Sequence, residues 1–121
     1  MRLMIVDDSM VIRNRIAILS SNPLLGYVDI VAMASDGEQA LALARSKQPD
    51  IITMDLTMPN MDGEECIGHL AKILPEARIL VVSALSDRVT ALRAIRNGAH
   101  GFLLKPFRDE ELLNSLLELK Q

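Results

Sequence analysis

Tryptophan is absent from the chain, and Tyr27, Phe102 and Phe107 are its only aromatic residues. So sparse a set makes a base-stacking surface for nucleic acid a poor reading. A single cysteine, Cys66, leaves no intrachain disulfide and fits a reducing compartment, the cytoplasm. There is no basic excess either: 13 Lys and Arg stand against 16 Asp and Glu, a net charge of −3, the wrong sign for a nucleic-acid-binding domain. No apolar run nears the roughly 20 residues that cross a bilayer. The N-terminus, Met1-Arg2 and then Leu3-Met4-Ile5-Val6-Asp7, is too short and too soon acidic for a signal peptide. His69 and His100 lie far apart, without recognisable metal-ligand spacing. What remains is an ordinary globular composition, 50% apolar and 24% charged over 121 residues, enough for one domain over 1–121 with a real core.

Strand and helix signals alternate along the chain. Leu3-Met4-Ile5-Val6 is a short apolar strand closed by Asp7-Asp8, and Ser9 can cap the helix that follows. Ile12, Ile16 and Leu19 form its core-facing stripe, with Val11 and Ile18 a weaker second one, and Asn22-Pro23 ends it. Tyr27 to Ala34 reads as strand two, with Asp29 marking an edge. Asp36-Gly37-Glu38 opens an Ala/Leu helix that runs through Arg45 and stops before Pro49. Ile51-Ile52-Thr53-Met54 is the central strand; it breaks at Asp55 and turns through Met58-Pro59. Asp62, with glutamate three residues on, starts helix three, expected to Leu74. Arg78 to Val82 is strand four and Gly101 to Leu104 strand five, with helix four from about Ser86 to Asn97 between them. In helix four, Val89, Leu92 and Ile95 are expected to face inward and Arg88, Arg93 and Arg96 to face water. Arg108 to Leu119 is the last helix. The methionines are expected to fill core gaps, and Cys66 to be a small buried apolar residue.

Five strand–helix pairs imply a three-layer α/β fold, a doubly wound (βα)5 parallel sheet joined by right-handed crossovers. The strand order expected for it is 2-1-3-4-5, the flavodoxin-like arrangement. In such sheets the site lies beyond the carboxyl ends of the strands, where the order reverses, here between strands one and three. Asp7, Asp8 and Asp55 wait there, with Ser83 and Lys105 ending neighbouring strands on the same rim.

Crowded carboxylates repel one another and become favourable around a hard divalent cation, whose ligands are oxygens. Asp8 and Asp55 are expected to hold the metal, with Asp7 acting directly or through water. A carboxylate can also be a nucleophile that forms an aspartyl-phosphate. The free oxygen of Asp55 would attack a phosphoryl group, Lys105 would neutralise charge on the transferring oxygens, and Ser83 would donate a hydrogen bond to one of them.

Val6-Asp7-Asp8-Ser9, Met54-Asp55-Leu56-Thr57-Met58-Pro59 with Met61-Asp62-Gly63, Ser83-Ala84 and Lys105-Pro106 carry a resemblance that runs end to end. In these motifs the chain resembles a response-regulator receiver domain of two-component signalling, in the chemotaxis-regulator-like superfamily. The resemblance implies that Asp55 is the phosphoacceptor, charged from a phosphohistidine on a sensor histidine kinase or a histidine phosphotransfer protein. It implies Mg2+ (or Mn2+) on Asp8, Asp55 and the backbone carbonyl of Thr57, with Asp7 contributing through water. Ser83 would turn toward the phosphoryl group and Phe102 would swing inward behind it. The Lys105-Pro106 bond would be cis. The face of helix four, strand five and helix five would then change partners, acting on a downstream effector or a covalently linked output domain. No turnover of a separate substrate is implied, only Mg2+-dependent phosphorylation of the chain itself and slow loss of the group.

The sequence departs from the family where phenylalanine stands at position 102, often a tyrosine, so Phe102 reads equally as switch and as core filler. Leu85 cannot hydrogen-bond an attacking water, so a longer-lived phosphorylated form is expected than with a polar residue there. Val11 and Ile18 read as core edge or as a kinase contact. A flavodoxin-type phosphate binder would need a Gly-, Ser- or Thr-rich loop where Asp7-Asp8 stand. An aspartate-dependent phosphohydrolase would want a second acid at Thr57. A receiver that serves only as an interaction module would not need all five polar groups. The chain ends just after helix five, as a stand-alone regulator or the N-terminal part of a longer one would.

Overall fold

A computed structural model describes residues 1–85 and 87–121. It contains β1 (Arg2–Val6), α1 (Met10–Leu19), a short 3-10 turn (Pro23–Leu25), β2 (Asp29–Ala34), α2 (Gly37–Lys47), β3 (Ile51–Met54), α3 (Gly63–Ile73), β4 (Arg78–Ser83), α4 (Arg88–Asn97), β5 (Gly101–Leu104) and α5 (Asp109–Lys120). The five strands form one parallel sheet in the order β2-β1-β3-β4-β5, the doubly wound topology expected from the alternation. No helix among the described residues is long and apolar enough to cross a membrane.

The sheet divides the core in two because strand side chains alternate between faces. Leu3, Ile5, Ile51, Leu80, Val82 and Leu103 pack with Ile16 of α1 and with Leu112, Leu116 and Leu119 of α5. Met4, Val6, Ile52, Met54, Ile79 and Val81 pack with Ala40, Leu41 and Ala44 of α2, Cys66, Ile67 and Leu70 of α3 and Ala94 of α4. β3 is buried at every residue, as a central strand covered on both faces must be. Helix starts are set by side-chain caps: Ser9, Asp36, Asp62 and Asp87 each accept from a backbone N–H in the first turn. Cys66 is wholly buried, and desolvation, with Asp62 next, pushes its thiol up to about 12.

Several local expectations change. β2 starts at Asp29, not Tyr27, because Gly26 at φ 73 turns the chain late and leaves Tyr27 82% exposed. Val89, Leu92 and Ile95 point outward, 60%, 56% and 51% exposed, while Thr90 and Ala94 face the core. α4 comes close to its neighbours through small residues; a Cβ on Gly98 at its end would lie 2.8 Å from Ala71 Cβ of α3. The large apolar side chains are thereby left on the uncovered side. The expected start of this helix at Ser86 lies outside the described residues; the helix begins at Arg88, capped by Asp87. Val11 and Ile18, 74% and 71% exposed, are not core edge. Met4 and Met54 fill the core, but Met10 and Met33 are exposed.

Gly63 has no room for a side chain: a Cβ would sit 2.0 Å from Asp55 O. Gly68, inside α3, has nothing within 4 Å. Gly63→Ala is therefore expected to lower the unfolding free energy by about 1–3 kcal/mol. Gly68→Ala is expected to raise it by about 0.5–1 kcal/mol. Urea unfolding of both variants beside the parent chain measures the contrast, and equal midpoints would contradict it.

Candidate functional site

Register brings the acids together. β1 and β3 pair Val6 with Met54, so the next residue on each strand, Asp7 and Asp55, emerges side by side at the carboxyl end of the sheet. Asp55 N donates to Val6 O at 2.9 Å and Asp7 N to Ala34 O at 3.0 Å, which extends the ladder just far enough to fix both. Asp7 is 1% and Asp55 4% exposed, whereas Asp8 faces solvent. One carboxylate oxygen from each of Asp7, Asp8 and Asp55 lies within 4.8 Å of the others.

Lys105 arrives from the far edge of the sheet. β4 and β5 pair Ser83 with Leu104, and Lys105 N donates to Ser83 O at 2.8 Å. Its Nζ donates to Asp7 Oδ2 at 2.7 Å and stands 3.7 Å from Asp55 Oδ1. The Lys105–Pro106 peptide is cis. Ser83 is fully buried, and its Oγ accepts from Leu85 N at 3.1 Å. Thr57 N donates to Asp55 Oδ1 at 3.4 Å, which places the Thr57 backbone beside the carboxylate while its side chain is exposed. Asp7, Asp8, Asp55 and Lys105 thus form one cluster, with Thr57 and Ser83 on the loop and strand end that border it. Phe102 is not part of it. It is half-buried against the core on the α2–α3–α4 face and borders a concavity of about 670 Å³ near the amino ends of β4 and β5. That larger hollow touches none of the acids. A smaller one of about 260 Å³, bordered by Thr57, Met58, Leu85 and Arg93, opens beside Asp55's loop.

The electrostatics follow from burial. Desolvation, then the negative charge of Asp7, pushes the Asp55 carboxyl up to about 6; Lys105 and the Thr57 N–H pull the other way without cancelling it. One ammonium serves two buried acids, so the pocket carries unbalanced negative charge. That is the condition under which a hard cation on the same oxygens lowers the energy of the folded chain. A donor set of three carboxylates suits a hard cation such as Mg2+ rather than a thiolate- or imidazole-loving metal.

Two residues that support the cluster have no signature in the local sequence. Arg13 Nη1 donates to Asp7 O at 2.6 Å. Arg15 Nη2 donates to Phe107 O at 2.7 Å, pairs with Asp109 Oδ1 at 2.8 Å and lies 4.3 Å over the Phe107 ring. Arg15 thus staples α1 to the turn that follows Lys105-Pro106. Its partner Phe107 is 92 positions away, beyond the reach of any local pattern.

A family model described as a response regulator receiver domain matches residues 3–117. The chemotaxis protein CheY of Bacillus subtilis (strain 168) is 37% identical over 116 residues, which are 95% of this chain and 93% of that protein. The nitrate/nitrite response regulator protein NarL of Escherichia coli (strain K12) is 35% identical over 114 residues, 94% of this chain but 52% of NarL. A chain in the crystal structure of the CheX-CheY-BeF3-Mg+2 complex from Borrelia burgdorferi superposes with a TM-score of 0.93 at 27% identity, covering 99% of this chain and 89% of that one.

The raised pKa has a consequence for stability. An acid that holds its proton more tightly folded than unfolded costs stability once ionised, and the cost grows as pH rises from about 4 to about 6. In metal-free buffer at pH 7.5, Asp55→Asn is therefore expected to stabilise the fold by roughly 1–3 kcal/mol. The gain is expected to fade as pH falls toward 4. Urea unfolding at both pH values checks it, and a destabilised variant at pH 7.5 would contradict the electrostatic account.

Proposed function

Because the chain belongs to the response regulator receiver domain family, we propose that Asp55 accepts a phosphoryl group from a phosphohistidine and that the fold reads its presence. The observation that carries this is the meeting of Asp7, Asp8, Asp55 and Lys105 in one pocket of unbalanced negative charge. The donor would be a sensor histidine kinase or a histidine phosphotransfer protein. Asp8, Asp55 and the Thr57 carbonyl would hold Mg2+ (or Mn2+), with Asp7 contributing through water. The cation would supply charge neutralisation for the phosphoryl oxygens.

The chain's own residues do the rest. Asp55 needs no general base once it is ionised: one carboxylate oxygen attacks phosphorus, the phosphorus–nitrogen bond of the donor breaks, and the histidine leaves with the electron pair. Lys105, already 3.7 Å from Asp55 Oδ1, lies close enough for its charge to reach the new phosphoryl oxygens. Ser83 has an acceptor role now, taking the Leu85 N–H. To donate its hydroxyl proton to a phosphoryl oxygen it would turn toward the pocket, and that turn would release the Leu85 N–H. Phe102, half-buried against the core on the α2–α3–α4 face, would swing inward behind it. This is a two-state equilibrium biased by one new charge-assisted contact.

The readout would lie on the α4–β5–α5 face. Val89, Leu92 and Ile95 of α4, with Leu104 of β5 and Leu85 ahead of α4, are all exposed apolar residues, an uncovered apolar set suited to a partner protein or a linked output domain. The chemistry is the phosphorylation of this chain, not turnover of a separate substrate, and a cytoplasmic location suits a phosphohistidine donor.

Incubation with a small phosphodonor and Mg2+ is expected to label the parent chain, as read by intact-mass spectrometry, and to leave Asp55→Asn at background. Lys105→Ala is expected to slow labelling by about 10²-fold. Labelling that survives in Asp55→Asn, or that ignores removal of Mg2+, would overturn the proposal. Leu85→Glu is expected to shorten the lifetime of the phosphorylated form severalfold, because a carboxylate there can orient the attacking water. An unchanged decay rate would remove Leu85 from the account.

A further inference from the structure

The loop that leaves Asp55 is fastened on its far side to the start of α2. Asn60 has a left-handed backbone with φ 67, a conformation asparagine tolerates better than most residues with a side chain. Its Nδ2 donates to Asp36 Oδ2 at 2.9 Å. Asp36 is itself immobilised: its other oxygen accepts from Gln39 N at 2.8 Å and caps α2, and the residue is 8% exposed. These bonds, Gln39 first and Asn60 next, hold its carboxyl below the usual carboxylate range, so it stays an acceptor at neutral pH. Beside it, a Cβ on Gly37 would lie 2.5 Å from Met61 O, and Cys66 Sγ donates to Gly37 O at 3.6 Å. Loop and helix are packed as one unit. Among the described residues, the Asn60–Asp36 bond is the one side-chain hydrogen bond that ties residues 57–61 to a neighbouring helix.

We propose that Asn60 is a positioning residue whose bond to Asp36 sets where the Thr57 carbonyl lies relative to Asp8 and Asp55. The inference rests on the reading of that carbonyl as a cation ligand. Mg2+ demands near-octahedral geometry with short bonds, so a loop free to shift by a fraction of an ångström is a poorer ligand. Groups that orient ligands without touching the metal change affinity by about 10- to 100-fold when removed. Asp36 suits the anchor role because its own place is fixed by α2 and does not depend on a bound ion.

The test is calorimetric titration of Mg2+ into the metal-free chain. Asn60→Gly keeps the left-handed backbone accessible and removes the amide; it is expected to weaken Mg2+ binding about 10-fold and to speed hydrogen exchange at the Thr57 N–H before any metal is added. The paired substitution Asp36→Asn with Asn60→Asp reverses the donor and acceptor at unchanged net charge. The new amide at position 36 can still cap α2 through its oxygen while its nitrogen donates to the carboxylate at position 60. Recovery to within about 3-fold of the parent affinity is expected, well inside the loss on deletion. Parent-like affinity in Asn60→Gly, or no recovery in the paired variant, would overturn the role of this hydrogen bond while leaving the cation site intact. A parent chain that does not bind Mg2+ would overturn the site reading and this inference with it.

Discussion

Asp7 and Asp55 sit side by side with almost no solvent, and among the described residues Lys105 is the sole ammonium within reach of both. Two buried like charges on neighbouring strands oppose folding. The sheet enforces the arrangement anyway, because pairing Val6 with Met54 leaves the following residues no other place. Hydrophobic burial of β1 and β3 on both faces supplies the energy that holds the acids there. The pocket is thus a store of unrelieved negative charge, built from backbone register and maintained by the core. The proposed chemistry would draw on that imbalance: a group that is costly to ionise when alone gains from a cation shared with its neighbours.

The surrounding elements can be understood as restraints on that pocket. On one side Ser9 N donates to Asp7 Oδ1 and Arg13 holds Asp7 O, so the start of α1 is fitted to the acid. Arg15 carries the restraint across to Phe107 and Asp109. On the other side Gly63 lets the chain after Asp55 fold back until Gly63 N meets Leu56 O at 3.0 Å. The β4–α4 connection is different. Among the described residues there, Leu85 N donates to Ser83 Oγ, and α4 beyond it rests on small residues with its large apolar side chains uncovered.

Most of this architecture was legible in the sequence because it is written in periodicity and punctuation. Apolar runs ending in Asp7, Asp55, Ser83 and Lys105 located four strand ends, and alternation with helices put those ends on one rim. What escaped depends on distance or on shape. Val89, Leu92 and Ile95 repeat at helical spacing, yet helix contact is made by Thr90 and Ala94, because close approach favours small side chains over hydrophobic ones. Tyr27 is β-prone, but the turn at Gly26 overrides local propensity. Met10 and Met33 are apolar by composition and exposed by position. Arg15 and the Asn60–Asp36 pair act on partners whose proximity exists only after folding.

The central claim is that Asp55 is electrostatically strained until a cation arrives, and its own carboxyl carbon reports on this most directly. Titration of the Asp55 side chain by 13C NMR, with and without Mg2+, is the deciding measurement. Without metal the carboxyl is expected to titrate near 6, and saturating Mg2+ is expected to pull it below its ordinary 3.8. A midpoint near 3.8 in the metal-free chain, unmoved by Mg2+, would contradict the account.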